Sequence, residues 1–487
     1  MTEDSSRRSR PWWSDPESLR ALQIRLVVLA LVTTTVLLAV AGLSLPSAGP
    51  ETAGPVSSAT EPTDDAAGQV GDAVAKPAFG AALLPTEVSD PVVRRQALLE
   101  QLRARTSAVL TRNAAAYLAT VDPADRSALV AARQTQERLA RLPLDSFDYT
   151  IEEVAANDVG SDTDPSPRAQ VQVDLRYTLK DFDPLPAHTG LVVEFVHQDI
   201  GWKITGEAAR GPSLAVWQLG DLQVVRGVRS LVIGVAPTNG DADRARVADY
   251  ARIADRAVTA VSNIWGSDWN RRVVLVVPSS TAAMARLLGR ATDSLDKIAA
   301  ITTDETSSQD RPTFGSSAAR QGAERVWVNA ALMSTLNSKG RAIVLRHEIA
   351  HVASDAPAVT ATPLWLEEGL AEVIGYSGSG VPFSVAVQEL VADARAGRIP
   401  RGLTRSTDFG SGSAGLAQAY EASHVACAVI ASRIGVPGLV RLYRQVAAGD
   451  PRDPDGNFEE ALSAGTGWDR DGFMNAVRDQ IRALAQN

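Results

Sequence analysis

The chain has 487 residues, a formal net charge of −9, 45% hydrophobic residues and one cysteine. An acidic chain without a basic stripe or a glycine-rich phosphate loop is not typical of nucleic-acid-binding proteins, so no nucleic-acid partner is expected. One cysteine excludes an intrachain disulfide, and core packing must therefore stabilise the fold. Cys427 lies among alanine, valine and isoleucine, which favours a buried residue over a nucleophile.

The first 45 residues predict a membrane anchor. Residues 26–45 form an uncharged, apolar stretch that is long enough as a helix to cross a bilayer. Five arginines precede it, whereas Lys76 is the only basic residue between positions 46 and 90. By the positive-inside rule, residues 1–25 are a cytoplasmic tail and the rest of the chain is extracytoplasmic. The alternative is a signal peptide cleaved at the A-x-A sequence of positions 39–41, which would give a secreted protein.

A linker and a first folded domain are expected after the anchor. Residues 46–88 are rich in proline, alanine, glycine, serine, threonine and acidic residues, a composition typical of disorder. Residues 89–212 show helical periodicity followed by strand-like alternation, which predicts an α+β domain. Its last hairpin, with the run Gly201-Trp-Lys-Ile204, resembles those of nuclear-transport-factor-2-like domains. Such domains serve as enzymes, pockets or spacers, so this resemblance assigns no function.

Residues 213–487 predict a second domain with a mixed sheet followed by a helical lobe. One strand is expected at 223–235 and a long amphipathic helix at 241–264. After position 368 the pattern is almost entirely helical. The overall fold class is therefore α+β.

The pentapeptide His347-Glu-Ile-Ala-His351 lies in this second domain and uses two of the five histidines in the chain. Residues 338–354 around it have helical periodicity. Histidines at i and i+4 stand about one turn apart on the same helix face, where both imidazoles can reach one metal ion. Glu348, beside the first histidine, is then the expected general base. It would take a proton from a zinc-bound water and deliver it to a leaving amine.

A catalytic zinc ion needs a third protein ligand. The metzincin continuation requires glycine and histidine where this chain has Ser354 and Pro357, so a nearby third histidine is excluded. Residues 362–375 instead predict a second helix with Thr362 at its N-cap. The carboxylates on this helix are Glu367, Glu368 and Glu372.

The sequence W-L-E-E-G-L-A-E after H-E-x-x-H resembles the gluzincin metallopeptidases, including the peptidase-MA-like group of bacterial membrane-anchored proteins. The resemblance implies that Glu368, directly before glycine, is the third zinc ligand. It also implies that Glu372 lies outside the ligand set and orients a ligand histidine. Glu367 points about 100° away and is expected to be a surface charge. Gluzincins hold the substrate along an edge strand, so segment 325–329 is a candidate, with an internal strand as the alternative.

Residues 419–431 resemble the family's helix after the active site. Tyr420 and His424 are four residues apart and share a face, so either is a candidate to donate a hydrogen bond to the developing oxyanion. The alternative is a structural role within the core. His188 and His197 have no partner at ligand spacing and are expected to be structural or surface residues.

Together, these patterns predict a membrane-anchored, extracytoplasmic zinc metallopeptidase that acts on a peptide or protein substrate. One alternative is a catalytically idle ectodomain that keeps a zinc-stabilised fold and serves as a binding or assembly module. Another is regulation of the second domain by a ligand-sensing first domain.

Overall fold

The computed structural model describes residues 86–157, 166–236, 241–305, 323–354, 361–410 and 413–486. The predicted cytoplasmic tail, membrane helix and nearly all of the linker lie outside these residues. The described part contains an antiparallel four-stranded sheet, a mixed five-stranded sheet and a C-terminal helical region. The predicted α+β class is therefore confirmed.

The first unit consists of four helices and the four-stranded sheet. Its helices are α1 Thr86–Ser89, α2 Pro91–Leu110, α3 Ala114–Leu118 and α4 Arg126–Leu139. Its strands are β1 Leu144–Asn157, β2 Arg168–Leu179, β3 Ala187–Gln198 and β4 Gly201–Ala209, paired antiparallel in chain order. Buried side chains alternate with more exposed ones along much of β2, as expected for a sheet with one face against a core.

The second unit is built on the five-stranded sheet. After α5 Val216–Leu219, the elements are β5 Asp221–Arg226, β6 Ser230–Ala236, α6 Asp241–Trp265, β7 Val273–Pro278, α7 Thr281–Leu288, β8 Ala300–Glu305 and β9 Ala323–Val328. The strand order across the sheet is β5-β6-β7-β9-β8. Strands β6, β7 and β9 are parallel, whereas β5 and β8 pair antiparallel at the two ends.

The prediction of a single strand at 223–235 is wrong, because β5 and β6 form a hairpin. The N–H of Gly227 donates a hydrogen bond to the carbonyl of Ser230 at 2.8 Å. Asp255 of α6 accepts from the N–H groups of Val228 and Arg229. A side chain distant in sequence therefore stabilises a turn that strand periodicity alone does not reveal.

The five-stranded sheet separates two hydrophobic cores. Along β7, Val273, Leu275 and Val277 pack with the helices of the second unit. Val274 and Val276 point to the opposite face and belong to a core shared with the four-stranded sheet. This alternation follows the two-residue period of a strand that is buried on both faces.

The helical region follows β9. Its helices are α8 Ala330–Thr335, α9 Ser338–Ser354, α10 Leu364–Tyr376, α11 Phe383–Ala386, α12 Gln388–Arg395, α13 Leu416–Ala447, α14 Pro454–Thr466 and α15 Arg470–Gln486. Helix α10 has Pro363 in the N-cap position, so the prediction that Thr362 caps it is wrong. In the described part of the chain, α13 alone is long and apolar enough to cross a membrane. However, 50% of its apolar window is buried within the protein.

Candidate metal centre

Two histidines and one glutamate converge between α9 and α10. The Nε2 atoms of His347 and His351 are 3.1 Å apart. Glu368 brings its Oε2 atom to 3.1 Å from His347 Nε2 and 3.4 Å from His351 Nε2. Ligand atoms bound at about 2.0 Å around a tetrahedral metal stand about 3.3 Å apart. These residues therefore have the spacing of a three-ligand metal site, and no other such group occurs among the described residues.

Two glycines of α10 allow the surrounding helices to approach it closely. A Cβ atom on Gly375 would lie 3.2 Å from the carbonyl oxygen of Ile343 on α9. A Cβ atom on Gly369 would lie only 2.4 Å from the carbonyl oxygen of Ser423 on α13. The second distance is too short for any side chain without backbone movement. Glycine at these positions thus lets α10 pack between α9 and α13, with Glu368 beside the histidines.

The hydrogen-bonding chemistry of the three residues fits a bound cation. Glu372 Oε1 lies 3.3 Å from His347 Nδ1, which favours the tautomer that donates from Nδ1 and leaves a lone pair on Nε2. That lone pair faces the Glu368 carboxylate oxygen, which can only accept when ionised. Two acceptors at this separation repel each other unless positive charge lies between them. Two imidazoles and one carboxylate are a donor set that zinc uses in catalytic sites.

The electrostatics of the buried group also favour positive charge. Burial lowers the pKa of His347, but hydrogen bonds and charges from Glu368 and Glu372 raise it well above its ordinary value. Burial likewise lowers the pKa of His351, and the Glu368 carboxylate outweighs this effect and raises it. Burial raises the pKa of Glu368, whereas the two histidines hold it at about 2. Glu368 is therefore ionised at neutral pH, as a metal ligand must be.

Glu348 is buried beside this group. Burial lowers the pKa of His351, and Glu368 raises it. The charge of Glu348 also raises this pKa. The hydroxyl of Thr302 on β8 lies 2.8 Å from Glu348 Oε2 and can donate to it. Sequence reasoning missed Thr302. It is 46 residues from Glu348 on a different element, and no local pattern connects the two.

Tyr420 of α13 packs against His347, one of the three residues of the metal group (His347, His351 and Glu368). Its ring centroid lies 6.1 Å from that of His347, and Phe409 packs edge-on against it at 5.2 Å. Burial raises the pKa of Tyr420 well above its ordinary value, and the nearby carboxylates raise it further. The hydroxyl therefore keeps its proton and is available as a hydrogen-bond donor.

His424 contacts Glu372, which in turn contacts His347. Its Nδ1 atom is 3.8 Å from Glu372 Oε2. Its ring stacks on Tyr376 at 5.2 Å and packs edge-on against Phe383 at 4.9 Å. Tyr420 and His424 therefore contact different partners, although their spacing places them on the same helix face.

The remaining two histidines lie in the first unit. His188 Nδ1 is 3.2 Å from Asp174 Oδ2, and His197 packs edge-on against Trp202 at 5.2 Å. Neither belongs to the metal group.

The edge-strand hypothesis for segment 325–329 is wrong. Strand β9 lies between β7 and β8, so it is internal to the sheet. Among the described residues, β8 is the end strand of this sheet, and it packs against α9, the helix that carries the histidines. Strand order depends on long-range pairing, and β9 follows β8 in sequence but inserts between β8 and β7.

Comparison with known proteins assigns no family. No protein-family model matches the chain, and no curated protein matches it. One similar solved structure is titled as a candidate aromatic ring hydroxylase from Novosphingobium aromaticivorans. It is 16% identical, covers 25% of this chain and 95% of its own, and has a TM-score of 0.18. At these values the match assigns neither a fold nor an activity.

Proposed function

We propose that the protein is a zinc-dependent peptidase of the gluzincin type. The observation that carries the proposal is the convergence of His347, His351 and Glu368, whose ligand atoms all lie within 4.8 Å of one another. The buried carboxylate of Glu348 lies on the same helix as the histidines. Catalytic zinc sites use three protein ligands and keep one position open, whereas structural sites use four. The three-residue group in the described part of the chain thus supports catalysis.

Each polar residue of the site has a proposed role. Zinc bound there would polarise the scissile carbonyl and lower the pKa of the attacking water to about 7. Glu348 accepts the proton of that water and passes it to the leaving amine. The Tyr420 hydroxyl donates a hydrogen bond to the carbonyl oxygen as it gains negative charge. Glu372 orients His347 through Nδ1, and His424 contacts the other carboxylate oxygen of Glu372 and positions it.

The proposed substrate is an extended segment of a peptide or protein. Support comes from β8, which ends the sheet in the part of the chain that the structure describes and packs against the histidine helix. A peptide added along such an edge gains main-chain hydrogen bonds that do not depend on its side chains.

We further propose that the site works outside the cytoplasm on a membrane-anchored chain. The support is the apolar stretch at 26–45, the arginines that precede it and the linker composition of 46–88. The first unit, with helices followed by an antiparallel sheet, is proposed to be nuclear-transport-factor-2-like. The net charge of −9 supports the absence of a nucleic-acid partner.

Zinc content and peptide hydrolysis of Glu348→Gln test this function against an idle, zinc-stabilised module. We expect the variant to retain near-stoichiometric zinc and to lose turnover, because glutamine cannot accept the proton. A matched control is Glu367→Gln, next to the ligand Glu368 but outside the metal group. It should retain both zinc and turnover. Equal hydrolysis by wild type and Glu348→Gln, or no zinc in either, would reject the peptidase.

A further inference from the structure

The two faces of strand β8 pack against different parts of the protein. Ala300 packs in the core of the helical region, and Ile301 packs in the core shared with the four-stranded sheet. Because side chains alternate along a strand, Thr302 lies on the same face as Ala300 and points toward α9. Thr303 and Glu305 point toward the first unit.

The side-chain hydroxyl of Thr302 contacts Glu348 of α9. Its Oγ1 atom is 2.8 Å from Glu348 Oε2 and 3.1 Å from the Glu348 main-chain oxygen. The hydroxyl has one proton, and a carboxylate oxygen is a stronger acceptor than a main-chain carbonyl oxygen. Threonine is also restricted at χ1 by its β-branch, so the donor has a defined direction. This contact restrains the Oε2 atom of the Glu348 carboxylate.

The end of β8 is anchored by a buried polar network. Glu305 accepts hydrogen bonds from Tyr177 at 2.7 Å and from Arg325 Nε at 3.0 Å. Arg325 also binds both carboxylate oxygens of Asp183, at 2.6 and 2.9 Å. The side chains of Arg325, Asp183 and Glu305 are 1%, 2% and 7% exposed. Since Glu305 lies three residues after Thr302, this network restricts movement of the strand that carries the hydroxyl.

We propose that Thr302 is a positioning residue that holds the Glu348 carboxylate in the orientation needed for proton transfer. This inference rests on the proposed peptidase function and adds a specific requirement to it. Thr302 acts through Glu348 and does not belong to the metal group. Its loss should therefore reduce the rate of the chemical step and leave zinc binding intact.

The kinetic test compares Thr302→Val, Thr302→Ser and Thr303→Val. Valine keeps the shape of threonine without the hydroxyl, and we expect kcat to fall about 10-fold or more while KM and zinc content stay unchanged. Serine retains the donor and should restore most of kcat. Thr303→Val is the matched control on the opposite face of β8 and should behave like wild type. Equal losses in the Thr302→Val and Thr302→Ser variants, or unchanged kcat in Thr302→Val, would overturn the proposal.

A second measurement does not depend on catalysis. Denaturant unfolding of Thr302→Val, Glu348→Ala and the double variant forms a double-mutant cycle. We expect the Thr302→Val effect to shrink when Glu348 is absent, because the lost contact then no longer exists. If the two substitutions change the free energy of unfolding additively, the proposed contact between Thr302 and Glu348 is wrong. If wild type binds zinc but hydrolyses no peptide, the peptidase proposal fails, and the cycle still decides whether Thr302 restrains Glu348.

Discussion

At the residue scale, the metal group depends on a glycine that carries no functional atom. Gly369 follows Glu368 of the candidate metal group and lies where α10 meets α13. A Cβ atom there would be 2.4 Å from the Ser423 carbonyl oxygen and 2.6 Å from Cys427 Sγ. The glycine after Glu368 therefore has a packing reason that does not depend on metal binding. Cys427 is fully buried at this contact, as its apolar neighbours predict.

Gly369→Ala should destabilise the protein despite the higher helix propensity of alanine. We expect a loss of about 1–3 kcal/mol in the free energy of unfolding, because the added methyl group overpacks a helix contact. Denaturant unfolding measures it. The control is Gly402→Ala, where an added Cβ atom would meet nothing within 4 Å. A Gly369→Ala variant as stable as wild type would show that α10 and α13 can separate without cost.

The raised pKa values of the two histidines predict a pH dependence of zinc affinity. Burial lowers both values, but the carboxylates of Glu368 and Glu372 raise the pKa of His347 well above 6.5, and Glu368 raises that of His351. Zinc must displace these protons, so its affinity should rise as the pH increases through and above 6.5. Competition with a chelator at several pH values measures this. Constant affinity from pH 6 to pH 9 would contradict the assignment of both histidines as ligands.

For the metal-free protein, the same raised pKa values predict the opposite trend: a rise in pH lowers the stability of the fold. A histidine with a raised pKa in the folded state contributes stability below its unfolded pKa, and this contribution is lost as the pH rises through the folded value. The metal-free protein should therefore become less stable above about pH 6.5 by this contribution, whereas added zinc stabilises it increasingly.

At the element scale, α13 has a packing role and carries Tyr420, the residue proposed to donate a hydrogen bond to the oxyanion. It packs against α10 through Ser423 and brings the ring of Tyr420 to 6.1 Å from that of His347. The local pattern predicted a helix here and the shared face of Tyr420 and His424. It could not show that Tyr420 contacts His347 whereas His424 contacts Glu372, because that depends on how α13 packs against α10.

Tyr420→Phe should lower kcat by about 10²–10³-fold, the usual effect of removing an oxyanion donor. Zinc content should stay unchanged, because Tyr420 is outside the ligand set. Steady-state kinetics with metal analysis measures both quantities. Tyr443→Phe, at a buried tyrosine of α13 beyond the kink at Gly435, is the control and should retain wild-type kcat. A Tyr420→Phe variant with full activity would assign the tyrosine a packing role only.

At the scale of the whole molecule, the first unit and the five-stranded sheet share a core. Trp217 and Trp327 are almost completely buried in it, and Trp217 packs edge-on against Tyr177 of β2 at 5.1 Å. The network of Arg325, Asp183 and Glu305 spans the same boundary. Removal of the first unit would expose one apolar face of the sheet to water.

A chain that begins at residue 213 should therefore fail to form a native second unit. We expect loss of near-ultraviolet circular dichroism and binding of a hydrophobic dye, the behaviour of a partly folded state. The same measurements on residues 86–487 provide the control. Cooperative unfolding and full zinc binding by the shorter chain would show that the first unit is dispensable and would restore a separate regulatory domain as a hypothesis.

The sequence by itself determined the α+β class, the helix with His347 and His351, and, through a family resemblance, Glu368 as their partner. These features depend on periodicity and spacing within short segments, where backbone geometry places side chains on known faces. Only the tertiary structure decided that β8 ends the sheet, that Thr302 contacts Glu348, and that two units share one core. Such contacts join residues far apart in sequence, and long-range packing and strand order create them.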